Sequence, residues 1–379
     1  MGVTSEATVW GRAEQQDYRS RVRGALLGAA LGDALGAPLA GLDEEGLRTV
    51  HGPGGTADLL PAHGRRGAVT SVTQLALFSA DGLIRAQVRR DTGAWHPPTD
   101  LHAAYRRWAA TQRDWGPDER RPADGWLARQ EWLYARRAPD RDCLTGLGDA
   151  APGTLDHPKN PAARGAAPAT RSAPFGLLVG WEPALVLQLA VECAAQTHGH
   201  PVSGLVAGAH ALLVHGVARG AALEQAVVET TGLLAARPGH EPVTAALARA
   251  LSGAPAAERP EHPARADARI SELLAGGGPE NSLSAAVYAA RTATDVREGL
   301  SRAVRHLGDS SAVGALCGAL LGAAHGETAL PPGWLAELEG RATILELADD
   351  FAMEMTQGAS LHSPVAAAPG WLTRYPREL

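Results

Sequence analysis

Two stretches of this chain carry glycine at every fourth position. In RVRGALLGAALGDALGAPLAGL, from Arg21 to Leu42, the glycines are Gly24, Gly28, Gly32 and Gly36. Between Gly314 and Gly326 they are Gly314, Gly318, Gly322 and Gly326. On an α-helix, positions four apart lie on one face. A glycine inside a helix costs about 0.5–1 kcal/mol relative to alanine, so four in line need a packing reason. A ridge without side chains lets a second helix backbone approach closely. The two stretches therefore predict two central helices made for each other, in an all-α domain. Asp33 interrupts the apolar run, so the first stretch reads as a buried helix of a globular domain and not as a membrane span.

Composition agrees. Apolar residues make up 45% of 379 residues but aromatics only 4%, and alanine and leucine, both strong helix formers, dominate. Valine, isoleucine, tyrosine and phenylalanine never alternate in the runs a sheet needs. Net charge is −6 with no basic block, which gives a nucleic-acid partner no electrostatic support. Lys159 is the only lysine, which argues against a Schiff-base or phosphate-loop lysine. Cys143, Cys193 and Cys317 are odd in number and far apart, neither a disulfide framework nor a zinc spacing. They read as buried thiols of a reducing compartment. The N-terminus lacks the charged-then-apolar layout of a signal peptide, and no apolar run reaches the roughly 20 residues of a span. The expectation is a soluble, cytoplasmic protein without a membrane partner. The arginine and alanine bias suggests a GC-rich, bacterial genome.

Along the chain, residues 1–17 read as a flexible segment. Helices are predicted at 18–35, 72–90 (with Thr70 as N-cap), 101–111, 181–196, 202–218, 221–236, 241–252, 267–275, 281–292, 295–306, 312–325 and 333–356. His51 to Gly55, HGPGG, is a turn signal. Trp115 to Arg137 mixes arginines with Trp126, Trp132 and Tyr134, but Asp118, Glu119, Asp124 and Glu131 sit among them, so it reads as a solvated helix with a few anchors. Residues 148–175 form a Gly-, Pro- and Ala-rich loop of the kind that lines sites. The linker at 253–266 separates the two glycine helices without dividing the domain, which spans 18–358 and leaves 359–379 as a tail.

Several of these segments follow an order that resembles the ADP-ribosylglycohydrolase family, which includes the dinitrogenase-reductase-activating glycohydrolase. RVRGALLGAALGDALGAPL resembles its opening, and HGPGG follows. TSVTQLALFSADGLIRA at 70–86 resembles the helix that starts TDDTQ. RGAAPATRSAPFGL at 164–177 resembles its glycine-rich ligand loop, THGHP at 197–201 a further motif, and GDSSAVGALCGALLGAAHG at 308–326 its GDxDTxAAxxGALxGAxxG segment. The resemblance implies an all-α, compact single-domain orthogonal helical bundle. It also implies a binuclear Mg²⁺ site that serves removal of ADP-ribose from its conjugates.

At the residues that would hold those ions the pattern fails. TDDT is here Thr70-Ser71-Val72-Thr73. Asp309 is kept, but the next aspartate is Ser311 and the partner threonine is Ala312. Of the six positions that supply metal ligands in the family, only Thr70 and Asp309 keep their residue. Mg²⁺ takes hard oxygen ligands in octahedral geometry, and one carboxylate cannot balance two such ions. Ala40 stands where many members carry an acidic residue. No metal cofactor is expected unless Asp43, Glu44, Glu45 or Asp58 reaches in from the 40–69 loop. For ligand binding, Gly165, Arg171 and His198 persist, while the second loop glycine is Ala167 and Pro168 removes a donor. Asp33 is expected to bond backbone N–H groups of a neighbouring loop or to touch a ligand. The sequence thus predicts a pseudoenzyme whose cleft binds ADP-ribose, a nucleotide or a protein partner. The alternatives are a hydrolase of ADP-ribosyl or other glycosidic conjugates using a substitute metal or none, and an assembly scaffold with its cleft filled.

Overall fold

The computed structural model describes residues 10–51, 58–93, 95–121, 124–252, 263–362 and 370–378. Eighteen helices lie in these residues. They are α1 (Arg12–Gly36), α2 (Glu44–His51), α3 (Ser71–Arg89), α4 (Pro97–Thr111), α5 (Arg141–Gly146), α6 (Ala167–Thr170), α7 (Ala173–Gly176), α8 (Pro183–Ala194) and α9 (Pro201–Ala218), followed by α10 (Leu223–Leu234), α11 (Glu241–Leu251), α12 (Pro263–Leu274), α13 (Pro279–Thr292), α14 (Val296–Val304), α15 (Ser310–His325), α16 (Pro332–Glu337), α17 (Arg341–Leu361) and α18 (Trp371–Arg374). The β structure among the described residues is one hairpin, Pro61–Ala62 against Arg65–Arg66. His63 and Gly64 turn it with positive φ, the backbone a two-residue hairpin requires.

The glycine helices pack as their spacing predicts. α1 and α15 run antiparallel with main chain against main chain: Gly24 faces Gly322, Gly28 faces Gly318 and Gly32 faces Gly314. A Cβ on Gly32 would stand 2.7 Å from the amide nitrogen of Ala315 and closer still to Gly314. At the end of the ridge Gly36 meets the backbone of Ser310 and Ser311, so the C-terminus of α1 lies beside the N-terminus of α15. Around this pair, α3 packs on α4 and α17, and α9 contacts α7, α8, α10 and α15. α9 is long and apolar enough to cross a membrane, with a mean hydropathy of 1.4, but 89% of it is buried within the fold. Its apolar surface is spent on neighbouring helices.

Several elements differ from the sequence reading. α1 starts at Arg12, six residues before the predicted Tyr18, and a bond from Gly11 N to Glu14 Oε2 at 2.8 Å closes its first turn. The stretch from Trp115 to Arg137 is not a helix. Its described residues include the 3₁₀ turns Leu127–Arg129 and Glu131–Tyr134, after Gly125, whose φ of +78° no helix allows. Trp126, Leu127 and Leu133 are buried, while Arg120 and Arg121 pair with Asp118 and Asp114 at the surface. The 148–175 loop ends in the two short helices α6 and α7, each opened by a proline at its first turn, where the missing N–H costs nothing. The predicted 333–356 helix is two helices, because Gly340 at φ +68° separates α16 from α17.

Residues 370–378 of the predicted tail belong to the fold. Tyr375 is fully buried and donates to Asp350 Oδ2 at 2.6 Å, and Trp371 Nε1 donates to Glu354 Oε2 at 3.1 Å. Most of the HGPGG turn and of the 253–266 linker, and residues 1–9 of the N-terminal segment, lie outside the described residues.

Candidate functional site

The fold gathers the motif residues at one end of the glycine-helix pair. Asp33, on α1, is fully buried. Its Oδ2 accepts from Thr70 N at 2.8 Å, Thr73 N at 3.2 Å and Thr73 Oγ1 at 2.6 Å, and its Oδ1 accepts from Thr70 Oγ1 at 2.8 Å. Burial pushes the carboxyl up, and the Thr73 and Thr70 donors pull the other way. Two of those donors are backbone N–H groups at the start of α3, which have no partner within their own helix. Asp33 therefore fastens the N-terminus of α3 to α1, as a buried polar group must be satisfied.

Thr70 caps α3 by accepting from Val72 N at 3.2 Å. Ser71 donates to Ala138 O at 3.0 Å, and its own N–H donates to Arg137 O at 3.1 Å. Arg137 in turn bonds Val69 O at 3.1 Å and pairs with Glu339, so residues 137–140 are laid against the start of α3. Across the cleft Asp309 caps α15, accepting from Ala312 N at 3.0 Å. Its surface is open to solvent, yet partial desolvation and the nearby Asp140 hold its carboxyl above the usual range. Ser311 donates to Asp33 O at 3.3 Å, and Ala312 is buried.

These residues do not fit a pair of Mg²⁺ ions. The six positions offer one carboxylate, already serving as a cap, two apolar side chains, and hydroxyls that donate to Asp33 or to main-chain carbonyls. The substitute carboxylates are committed elsewhere. Asp58 accepts from Trp334 Nε1 at 2.8 Å and pairs with Arg66. Asp43 caps Gly46 N at 2.8 Å, Glu44 pairs with Arg48 along α2, and Glu45 is exposed. Glu44 also lines a separate recess of about 420 Å³ with Leu47, Arg305 and His306.

A second group stands beside this one. Asp140 caps α5 by accepting from Cys143 N at 2.8 Å, and its Oδ1 is 3.8 Å from His198 Nε2. A Cβ on Gly165 would come 2.8 Å from that same nitrogen, so only glycine fits against the imidazole edge. The His198 side chain is fully buried, its Nδ1 is 3.0 Å from Thr197 Oγ1, and its Nε2 has no hydrogen-bond partner. Burial lowers its pKa to about 4, so the ring is neutral. Arg171 is also fully buried. It donates to Thr197 Oγ1 at 2.8 Å, Cys193 O at 3.2 Å and Cys143 Sγ at 3.3 Å, and lies 4.5 Å from the centroid of the Tyr105 ring. Its guanidinium is thus consumed inside the protein and does not reach into the cleft.

Sequence reasoning singled out His198, Gly165 and Arg171 and missed Asp140 and Cys143. Pro139-Asp140 ahead of an apolar turn is a helix-start signal, but nothing in the spacing ties it to His198, fifty-eight residues on.

An all-α protein built on two glycine-ridged helices, with polar motif residues gathered where they end, is the class that this geometry defines. The family model of the ADP-ribosylglycohydrolases matches residues 14–360, and the chain belongs to that family. A solved structure described as an ADP-ribosylglycohydrolase-related protein complex is similar at 27% identity and a TM-score of 0.55, covering 90% of this chain and 100% of that one. No curated protein matches the chain.

Proposed function

We propose that this protein is an ADP-ribosylglycohydrolase-fold pseudoenzyme that lacks the Mg²⁺ pair and uses the cleft to bind ADP-ribose or a related nucleotide. One observation carries the reading. Val72 and Ala312 present hydrocarbon at positions where the family pattern has metal-binding side chains, while the packing of α1 on α15 is intact. Asp33, which anchors the start of α3 from within α1, needs no metal to be satisfied.

The test is calorimetric titration of the full chain with ADP-ribose, with and without Mg²⁺, alongside release of ADP-ribose from a modified protein substrate. Saturable binding that is indifferent to Mg²⁺, with no release, is the expected result. Binding that strengthens with Mg²⁺, or turnover that needs it, overturns the reading in favour of a hydrolase. No binding in either condition leaves the fold as an assembly scaffold and overturns it too.

A further inference from the structure

We infer that Asp140, Cys143 and His198 form a binding site for a single divalent transition-metal ion of the zinc class, distinct from the degenerate Mg²⁺ positions. The inference does not rest on the nucleotide reading above.

The three ligand atoms lie within 4.8 Å of one another. They come from two parts of the chain, the first turn of α5 and the turn before α9. Zinc binds Cys sulfur at about 2.3 Å, His nitrogen at about 2.0–2.1 Å and carboxylate oxygen at about 2.0–2.2 Å. At tetrahedral angles those radii place ligand atoms roughly 3.3–3.7 Å apart. The separation of Asp140 Oδ1 from His198 Nε2 is 3.8 Å, so that pair needs almost no movement. The widest separation has to shrink by about 1 Å, which side-chain torsions can supply.

A second observation points to a ligand. His198 Nε2 is buried, aimed into the cluster and left without a hydrogen-bond partner. An orphaned buried polar atom is costly to the fold, and an ion bound there would satisfy it. When Nδ1 carries the ring proton and donates it to Thr197 Oγ1, the lone pair of Nε2 faces the cluster. Such a bond on the far nitrogen is what orients metal-binding histidines.

The surroundings complete the case. Burial pushes the Cys143 thiol up to about 12, and Arg171, whose Nη1 donates to Cys143 Sγ at 3.3 Å, pulls the other way. Coordination exchanges the Cys143 thiol proton for the ion, and the proton leaves to solvent. The Asp140 side chain is 34% exposed and gives a path of entry. Sulfur, imidazole and one carboxylate together select zinc or cobalt over magnesium. Three protein ligands leave the fourth tetrahedral position to water or a ligand oxygen.

The experiment is titration of the metal-free full-length protein with Co²⁺, followed by absorbance and by competition with Zn²⁺. One equivalent should bind, with a near-ultraviolet sulfur-to-cobalt charge-transfer band that Zn²⁺ removes. Cys143→Ser should abolish the band, whereas Cys317→Ser, a change at a buried thiol on α15, should leave it. Asp140→Asn keeps the cap on Cys143 N and so folds. It should weaken binding at least about tenfold, since even outer-sphere partners are worth 10–100-fold. Absence of the band in the wild-type protein, its survival in Cys143→Ser, or unchanged affinity in Asp140→Asn overturns the inference.

Discussion

Asp33→Ala and Asp33→Asn should separate two accounts of the buried carboxylate. The structure gives Asp33 four donors, of which the N–H groups of Thr70 and Thr73 cannot turn elsewhere. Alanine leaves both amides unpaired in the interior. At about 1–3 kcal/mol for each unsatisfied buried group, the gross loss is about 2–6 kcal/mol. Relief from burying a carboxylate offsets part of it, so a net loss of about 2–4 kcal/mol is expected. Asparagine can place its oxygen at the Oδ2 position and keep three of the four bonds. Its NH₂ group then meets Thr70 Oγ1, which rotates to accept, and the loss should stay near or below about 1 kcal/mol. Urea denaturation monitored by circular dichroism reads both values. The folded pKa of Asp33 is raised, so the group favours folding below the ordinary carboxylate range and that contribution is lost as pH rises through the folded pKa. The asparagine variant should therefore improve relative to wild type as pH rises above the ordinary carboxylate range. Equal losses in the two variants would refute the reasoning, because the charge itself, and not the acceptor geometry, would then be what α3 needs.

The remaining predictions follow from the same contacts. Gly28→Ala puts a Cβ 3.0 Å from the carbonyl carbon of Gly318 and should destabilise by about 1–3 kcal/mol, while the same change at Gly232, which meets nothing within 4 Å, should stabilise by about 0.5–1 kcal/mol. Thermal unfolding measures both, and like signs would count against the ridge. Burial lowers the His210 pKa to about 4, so stability should decline as pH falls from about 6.5 toward 4, where only the unfolded chain takes the proton, at up to about 1.4 kcal/mol per pH unit. His210→Gln should flatten that slope in denaturation curves. Millimolar Mg²⁺ should leave the melting temperature unchanged, because an ion that does not bind the native state adds no linkage term. A rise that EDTA reverses would contradict the proposed function.

The scaffold was legible because its signal is steric and local. Glycine at every fourth position fixes both the helical face and the nature of its partner, and the register of Gly28 on Gly318 follows. A helix boundary was legible at Thr70, whose cap marks it, whereas α15 starts at Ser310, two residues before the predicted 312. The stretch from Trp115 to Arg137 was misread although its breakers were visible: Gly116, Pro117, Pro122 and Gly125 all oppose a continuous helix. Gly340 was unreadable for another reason, since a glycine between two amphipathic runs reads equally as a weak helical residue. The losses at Val72 and Ala312 could be read directly against the family pattern. The proximity of Asp140, Cys143 and His198 could not, because it depends on a loop path that no period encodes. Arg171 shows the converse: a persisting motif residue is turned inward, where it holds Cys143, Thr197 and Tyr105 together.

The contact of α1 with α15 is made by main chains, so it is blind to the side chains that face the cleft. Foldability is thereby uncoupled from chemistry. Side chains such as Val72 on α3, or Ser311 and Ala312 at the start of α15, can be exchanged without loosening that contact. A lineage built on such a frame is free to discard one reaction and try another ligand set at the same address, and each trial begins from a folded protein.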